Sequence, residues 1–336
     1  MALHEMKNTI KVAGKVNLTL NITGKRGNMH TLDMLMSTIN LYDVVRFSKN
    51  NKNTVNLTSK SQLDGFDSKR FDTAMQVVAD KFVAKFGSVG CDIEVEKVVP
   101  LGAGLGGSTA SIIGVICALQ AVAQAENTAL DDGFLLSSSA DVSSVHQSEQ
   151  ARKVVFDDEF LLSLGSDAPY MYRGGLARIE GVGEKVTPLA FEKLWFVVVA
   201  PSSGVESKTA YKLYDELQSK KTALDCGFIS KNSLNEGCDC TKADICASEN
   251  TIKVGGSEIE LRNDLTEAAL KLNVDVKLAM DELEKAGSKN TVMSGSGSSV
   301  ISVCNSKSEA ERIFSNLHFN GFKGIYCSVD KGVCVL

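Results

Sequence analysis

Pro100-Leu101-Gly102-Ala103-Gly104-Leu105-Gly106-Gly107-Ser108-Thr109-Ala110-Ser111 is the stretch on which the reading of this chain turns. Just before it, Ile93 and Val95 alternate with Asp92, Glu94 and Glu96, the pattern of a half-buried strand. Just after it, Ile112, Ile113, Val115, Ile116, Leu119 and Val122 form a run too long for a strand, which predicts a buried helix. The stretch is therefore a glycine turn between strand and helix. Glycine lacks Cβ, so the backbone can come close to a ligand and reach positive φ. A helix start leaves its first N–H groups unpaired and carries partial positive charge. Together these make a cradle for phosphate, and the Ser108 and Thr109 hydroxyls can touch a phosphate oxygen or a phosphate-bound Mg²⁺. No Gly-Lys-Ser/Thr ending is present, so the loop is not of the Walker A kind, and no Asp or Glu lies about 20 residues on in a βαβ unit, as a dinucleotide site would want.

Working outward, residues 10–22 read as a strand with Ile10, Val12, Val16, Leu18, Leu20 and Ile22 on one face, and Lys15 and Asn17 together on the other. Residues 23–30 read as a glycine-bounded turn holding Met29 and His30. Strands are expected over 34–47 and 54–58. Phe71, Met75, Val78, Phe82 and Phe86 predict an amphipathic helix over 69–86. Trp195–Ala200 reads as a buried strand and 205–218 as a helix in which Tyr211, Leu213, Tyr214 and Leu217 are the apolar positions. One amphipathic helix is expected from Leu265 to Leu283, and Ser306 with Glu309 forms a capping box for another through Leu317. Residues 324–335 read as a closing strand.

Three motifs in order carry a resemblance. The glycine stretch closely resembles the phosphate loop of the GHMP kinases. Gly165-Ser166-Asp167-Ala168-Pro169, followed by Gly174 to Glu184, resembles the family's second motif. Met293-Ser294-Gly295-Ser296-Gly297-Ser298-Ser299 resembles the third, a second glycine loop. Gly14-Lys15-Val16-Asn17-Leu18 is similar to the first motif of one branch, the 4-diphosphocytidyl-2-C-methyl-D-erythritol kinases, with Ala13-Gly14 in place of Pro-Ala. In that branch a Tyr-His pair follows; His30 is in register, whereas Met29 stands where the tyrosine packs on cytosine. Asn263-Asp264-Leu265 at a helix start also resembles the family.

The resemblance implies an α+β fold of two GHMP kinase domains. Residues 1–189 would form a ribosomal-S5-domain-2-like half carrying the ATP loop, and 190–336 a ferredoxin-like half. It implies ATP on Pro100, Gly102, Ala103, Gly104, Leu105, Gly106, Gly107, Ser108 and Thr109, with Ser108 near Mg²⁺. Asp167 would orient the acceptor alcohol and take its proton, with Lys15 stabilising the developing charge. Asn17, His30, Gly295, Ser296 and Gly297 would face the acceptor, expected to be 4-diphosphocytidyl-2-C-methyl-D-erythritol. A kinase of another small alcohol or sugar, and a catalytically silent nucleotide-binding homologue, remain alternatives; the presence of both Lys15 and Asp167 speaks against silence.

Composition bounds the partners. The chain has 336 residues, 23% of them charged, and a net charge of −5, which disfavours nucleic acid as a partner. No apolar run reads as long enough to span a bilayer, and the start shows no signal-like apolar core, so a cytoplasmic setting is expected. Residues 126–156 are Ser-rich and polar. Residues 219–260 read as a loop-like insertion holding Cys226, Cys238, Cys240 and Cys246, whose spacing lacks the paired hooks of a zinc site.

Overall fold

The computed structural model describes residues 8–128, 156–228 and 250–336. Its spine is an antiparallel hairpin of two long strands, β1 (Asn8–Arg26) and β2 (Met29–Lys49). The turn expected over 23–30 shrinks to Gly27-Asn28. Arg26 pairs with Met29, and Gly27 sits at φ +61, which glycine at the first central position of such a turn supplies.

The single face expected for β1 is also corrected. Its register against β2 shifts at Ala13/Gly14, Asn17/Thr19 and Ile22/Gly24. Consequently Ile10, Val12 and Leu20 pack into one core cluster and Val16 and Leu18 into another. Bulges turn side chains to the opposite face. Here they take Lys15 and Asn17 off any solvated face: both are buried, at 3% and 1% exposure.

β3 (Val55–Ser61), α1 (Ser68–Phe86) and β4 (Cys91–Lys97) form a parallel crossover unit, and β4 adds to β2 beyond Val44. α1 starts where Asp67 accepts from Arg70 N at 3.0 Å, and it buries Phe71, Met75, Val78 and Phe82. α2 (Gly107–Thr128) lies on the sheet so closely that a Cβ on Gly114 would meet Val45 Cγ2 at 2.5 Å. Gly107–Ala125 is in fact long and apolar enough to cross a membrane, contrary to the sequence reading. Ile113, Ile116 and Leu119, each fully buried among sheet residues, show it to be a core helix. Burying each such side chain contributes about 1.5–3 kcal/mol.

Periodicity alone did not predict α3 (Asp158–Leu164), α4 (Ala168–Arg173), β5 (Leu176–Gly181) and β6 (Lys185–Pro188). β5 pairs with β2 over Leu32–Ser37, beside the stretch of β2 that takes β4.

After β7 (Trp195–Ala200) comes α5 (Ser207–Phe228), longer than expected and reaching into the supposed loop. The far end of that supposed loop is a hairpin, β8 (Thr251–Val254) with β9 (Ser257–Glu260). Then come β10 (Arg262–Asn263), α6 (Thr266–Leu272) and α7 (Val274–Lys285). The single helix read over Leu265–Leu283 breaks at Asn273, whose side chain caps α7 by accepting from Asp275 N at 2.9 Å.

β11 (Thr291–Met293), β12 (Val300–Cys304), α8 (Lys307–Ser315), β13 (Phe322–Cys327) and β14 (Val333–Val335) complete the chain. The second sheet has the antiparallel order β11-β12-β7-β13, the ferredoxin-like arrangement. The closing strand expected over 324–335 is two strands in two sheets: β14 returns to pair with β1, as does β10. The polar segment within 129–155, residues Cys238, Cys240 and Cys246, and the thiol of Cys226 lie outside the described residues.

Candidate active site

The glycine loop between β4 and α2 is turned one way. Its carbonyls face the protein: Gly102 O accepts from Val205 N, Ala103 O from Ser299 N, Gly104 O from Ser294 Oγ and Leu105 O from Lys15 N. Among the described residues, none of the N–H groups from Leu101 to Gly106 has a protein acceptor. Gly102, Gly104 and Gly106 all sit at φ between +65 and +75, the conformation that turns successive amides outward. The loop thus offers a row of free donors that ends at the start of α2, where Ser108 is exposed.

The second glycine loop packs directly on the first. A Cβ on Gly104 would lie 2.0 Å from Ser294 O, and one on Gly295 would lie 3.1 Å from Gly104 Cα and 3.2 Å from Lys15 Nζ. Asn263 holds this second loop. Its side-chain amide donates to Met293 O at 2.8 Å and Gly295 O at 2.7 Å, while its Oδ1 accepts from Leu265 N at 2.9 Å. Ser296 joins the loop to α5 through a 2.8 Å contact with Ser207 Oγ. Gly297 N closes the turn on Ser294 O at 3.0 Å.

Lys15 and Asp167 meet between these loops, with Nζ 3.5 Å from Asp167 Oδ2. Lys15 Nζ also donates to Asn17 Oδ1 at 2.6 Å, and Asn17 N donates to Ser294 Oγ at 3.1 Å. Gly106 leaves room for this arrangement, because a Cβ there would meet Lys15 Cγ at 3.0 Å and Met171 Sδ at 2.5 Å. Asp167 sits at the N-terminus of α4 but its carboxylate makes no capping bond, so it remains available to a ligand. One oriented carboxylate beside one buried ammonium can accept a proton and stabilise developing negative charge.

Next to Asp167 opens a cleft of about 480 Å³, walled by Asn28, Met29, His30, Ser166, Tyr211 and Asp215 among others. His30 stacks on Tyr211 with ring centroids 4.7 Å apart, and its Nε2 lies 2.9 Å from Asp215 Oδ1. Lys25 donates to Asp215 Oδ2 at 2.7 Å. Burial opposes ionisation of Asp215, but His30 and Lys25 outweigh it and hold the carboxyl below its ordinary pKa. Burial, with the Asp167 carboxylate adding to it, pushes the Tyr211 phenol well above its ordinary value. Tyr211 and Asp215 line this cleft, and the sequence reading names neither for the site. Tyr211 counted only as an apolar position of an amphipathic helix; its signal was a second aromatic one turn from an acid, meaningful only once His30 is beside it. Met29 is half exposed at the cleft rim.

The family model described as GHMP kinases N terminal domain matches residues 72–149, and that described as GHMP kinases C terminal matches 253–323. The chain is 29% identical over 311 residues to a 4-diphosphocytidyl-2-C-methyl-D-erythritol kinase of Clostridium perfringens (strain 13 / Type A), covering 92% of each chain. It is 29% identical over 303 residues to the like-named protein of Clostridium novyi (strain NT), covering 89% of this chain and 92% of that one. A crystal structure of 4-(cytidine 5'-diphospho)-2C-methyl-D-erythritol kinase shares the fold at a TM-score of 0.60 and 22% identity, over 96% of this chain and 99% of the other. A crystal structure of L. major mevalonate kinase in complex with R-mevalonate shares it at a TM-score of 0.59 and 12% identity, over 98% of this chain and 99% of the other.

Proposed function

This chain belongs to the GHMP kinases, and from that premise we propose that it phosphorylates the alcohol of 4-diphosphocytidyl-2-C-methyl-D-erythritol at the expense of ATP. The observation that carries the reading is the Lys15–Asp167 pair, set between two interlocked glycine loops and opening on a cleft with an aromatic end.

Each residue's work follows from its place. The outward N–H groups of Leu101–Gly106 and the start of α2 hold the donor phosphates. Phosphoryl transfer has a loose transition state, so positioning and charge neutralisation supply most of the acceleration. Asp167 orients the acceptor hydroxyl and takes its proton. Lys15, fixed by Asn17, balances the negative charge that develops. Gly295 to Gly297 close the site from the opposite side. His30 and Tyr211 receive the flat cytosine end of the acceptor, with Met29 covering the rim. Mg²⁺, when bound, neutralises charge between the donor phosphates. The residues present fit it as an ion held chiefly by phosphates and water, with the exposed Ser108 hydroxyl as the protein contribution. We place the work in the cytoplasm, where ATP is the ready donor, and draw the boundary between two units at 189/190, with β10 and β14 of the second completing the sheet of the first.

The test is phosphate transfer from labelled ATP to a panel of alcohols. The cytidine compound is expected to be the best acceptor. Asp167→Asn and Lys15→Ala are each expected to lower kcat by about 10²–10⁴ with ATP affinity nearly unchanged. Transfer to a bare sugar or polyol, with the cytidine compound neither reacting nor competing, would keep the kinase and overturn the acceptor.

A further inference from the structure

We infer that Asp43, which no motif singles out, is the positioning residue that staples both ends of the phosphate loop. It lies on β2, fully buried. Its Oδ1 accepts from Val98 N and Val99 N, each at 2.9 Å. Its Oδ2 accepts from Lys97 Nζ and from Ser111 Oγ, each at 2.7 Å. Val98 and Val99 are where the chain leaves β4; Ser111 lies in the first turns of α2, where its hydroxyl is also 3.3 Å from Gly107 O. One carboxylate thus grips the loop where it begins and where it ends, with all four of its bonds charge-assisted.

The arrangement is costly by itself. Taking the fully buried Asp43–Lys97 pair out of water carries a large desolvation cost before the mutual attraction is counted, and well-packed apolar replacements of such pairs are often no less stable. Burial pushes the Lys97 ammonium down in pKa, and the Asp43 carboxylate opposes it. Stability therefore does not by itself account for the pair. Geometry does: only an acceptor with two oxygens can take two consecutive backbone N–H groups on one side and a helix hydroxyl on the other. With Val98, Val99 and Ser111 held, the three positive-φ glycines between them present their amides outward as a set. The inference rests on the reading that this loop holds the phosphates of ATP.

The test compares Asp43→Leu/Lys97→Met, which removes the staple and the buried charge together, with Asp43→Asn/Lys97→Met, which keeps an oxygen for Val98 N and Val99 N. Ser111→Ala removes only the helix end of the staple. Binding of ADP is measured by calorimetry, and amide exchange of Leu101–Gly107 is followed in the ligand-free protein. The leucine variant, still folded by circular dichroism, is expected to bind ADP at least ten-fold more weakly and to exchange those amides faster. The asparagine variant is expected to restore most of the affinity, and Ser111→Ala to lose two- to five-fold. KM for the acceptor should move less than two-fold in all three. If the leucine variant does not fold, Ser111→Ala and the asparagine variant decide. Unchanged ADP affinity and unchanged loop exchange in the folded variants would reduce Asp43 to a core residue and overturn the inference. Faster loop exchange in the leucine variant, beside a wild type that binds no ADP, would instead keep the staple and sink the nucleotide reading.

Discussion

The interlocking of the two glycine loops makes Gly104→Ala a sharp perturbation. The added methyl would lie 2.0 Å from Ser294 O and 2.9 Å from Ser294 C, both backbone atoms that cannot swing aside. An ordinary carbon–oxygen contact is about 3.3 Å, so the loops must part by about 1.3 Å. Ser294 Oγ is the link between Gly104 O and Asn17 N, and Asn17 holds the Lys15 ammonium. The shift therefore passes from the first glycine loop to the Lys15–Asp167 pair. A misplacement of about 1 Å costs roughly 10²-fold in rate, and a side chain at left-handed φ adds about 1–2 kcal/mol of strain. Gly65 separates the two effects: it sits at φ +70 with nothing within 4 Å of a Cβ. Gly65→Ala should lower the melting temperature only, whereas Gly104→Ala should lower it further and reduce kcat about a hundred-fold. Steady-state kinetics and thermal melts of both variants are the assay. If Gly104→Ala turns over within two-fold of wild type and melts like Gly65→Ala, the loops are not interlocked as described.

Tyr211→Ala should raise KM for the cytidine compound about ten-fold, the weight of one base–aromatic stack, and leave KM for ATP unchanged, while Met29→Tyr should lower the former. Equal effects on both substrates would show that Tyr211 serves packing rather than the acceptor. Asn263→Ala removes three hydrogen bonds around the second glycine loop and should cost about 2–3 kcal/mol in chemical denaturation, with kcat falling more than KM; a stability loss with intact kcat would refute its positioning role. Asp33 is held below its ordinary pKa by the two hydrogen bonds from Arg178, with burial opposing. A depressed folded pKa gives stability that is present above the unfolded value and lost as pH falls through the folded one. Asp33→Asn should therefore destabilise by about 0.2–1 kcal/mol at neutral pH and not near pH 2, as melts at both pH values will read.

The loops were legible in the sequence because closely spaced glycines mark backbone that turns to positive φ or approaches something closely, and Gly104 does both. The order of motifs and the meeting of Lys15 with Asp167 were legible through resemblance, and the amphipathic helix over Ser68–Phe86 through its period. Other features depend on distance in space. The faces of β1 could not be read by alternation, because its bulges arise from pairing with β2. The break at Asn273 was hidden by an apolar pattern that continues across it. Asp43 carries no local mark, since its four partners come from β4 and α2. Tyr211 becomes part of the cleft's aromatic end only when the β1–β2 hairpin brings His30 against it.

β14 has a consequence for how the protein comes off the ribosome. Val333–Val335 completes the edge of β1 at Ile10–Val12, and Gly332 O accepts from Ala13 N at 2.8 Å, two residues before Lys15. Domains otherwise tend to fold in the order they are made, N-terminal first. Here the strand that carries Lys15 keeps an open edge until Val333–Val335 has been made, more than 300 residues after it, and an open edge invites pairing with a neighbouring chain. The nascent first half is thus the aggregation-exposed species, and the slow non-local closure by β14 ends that exposure.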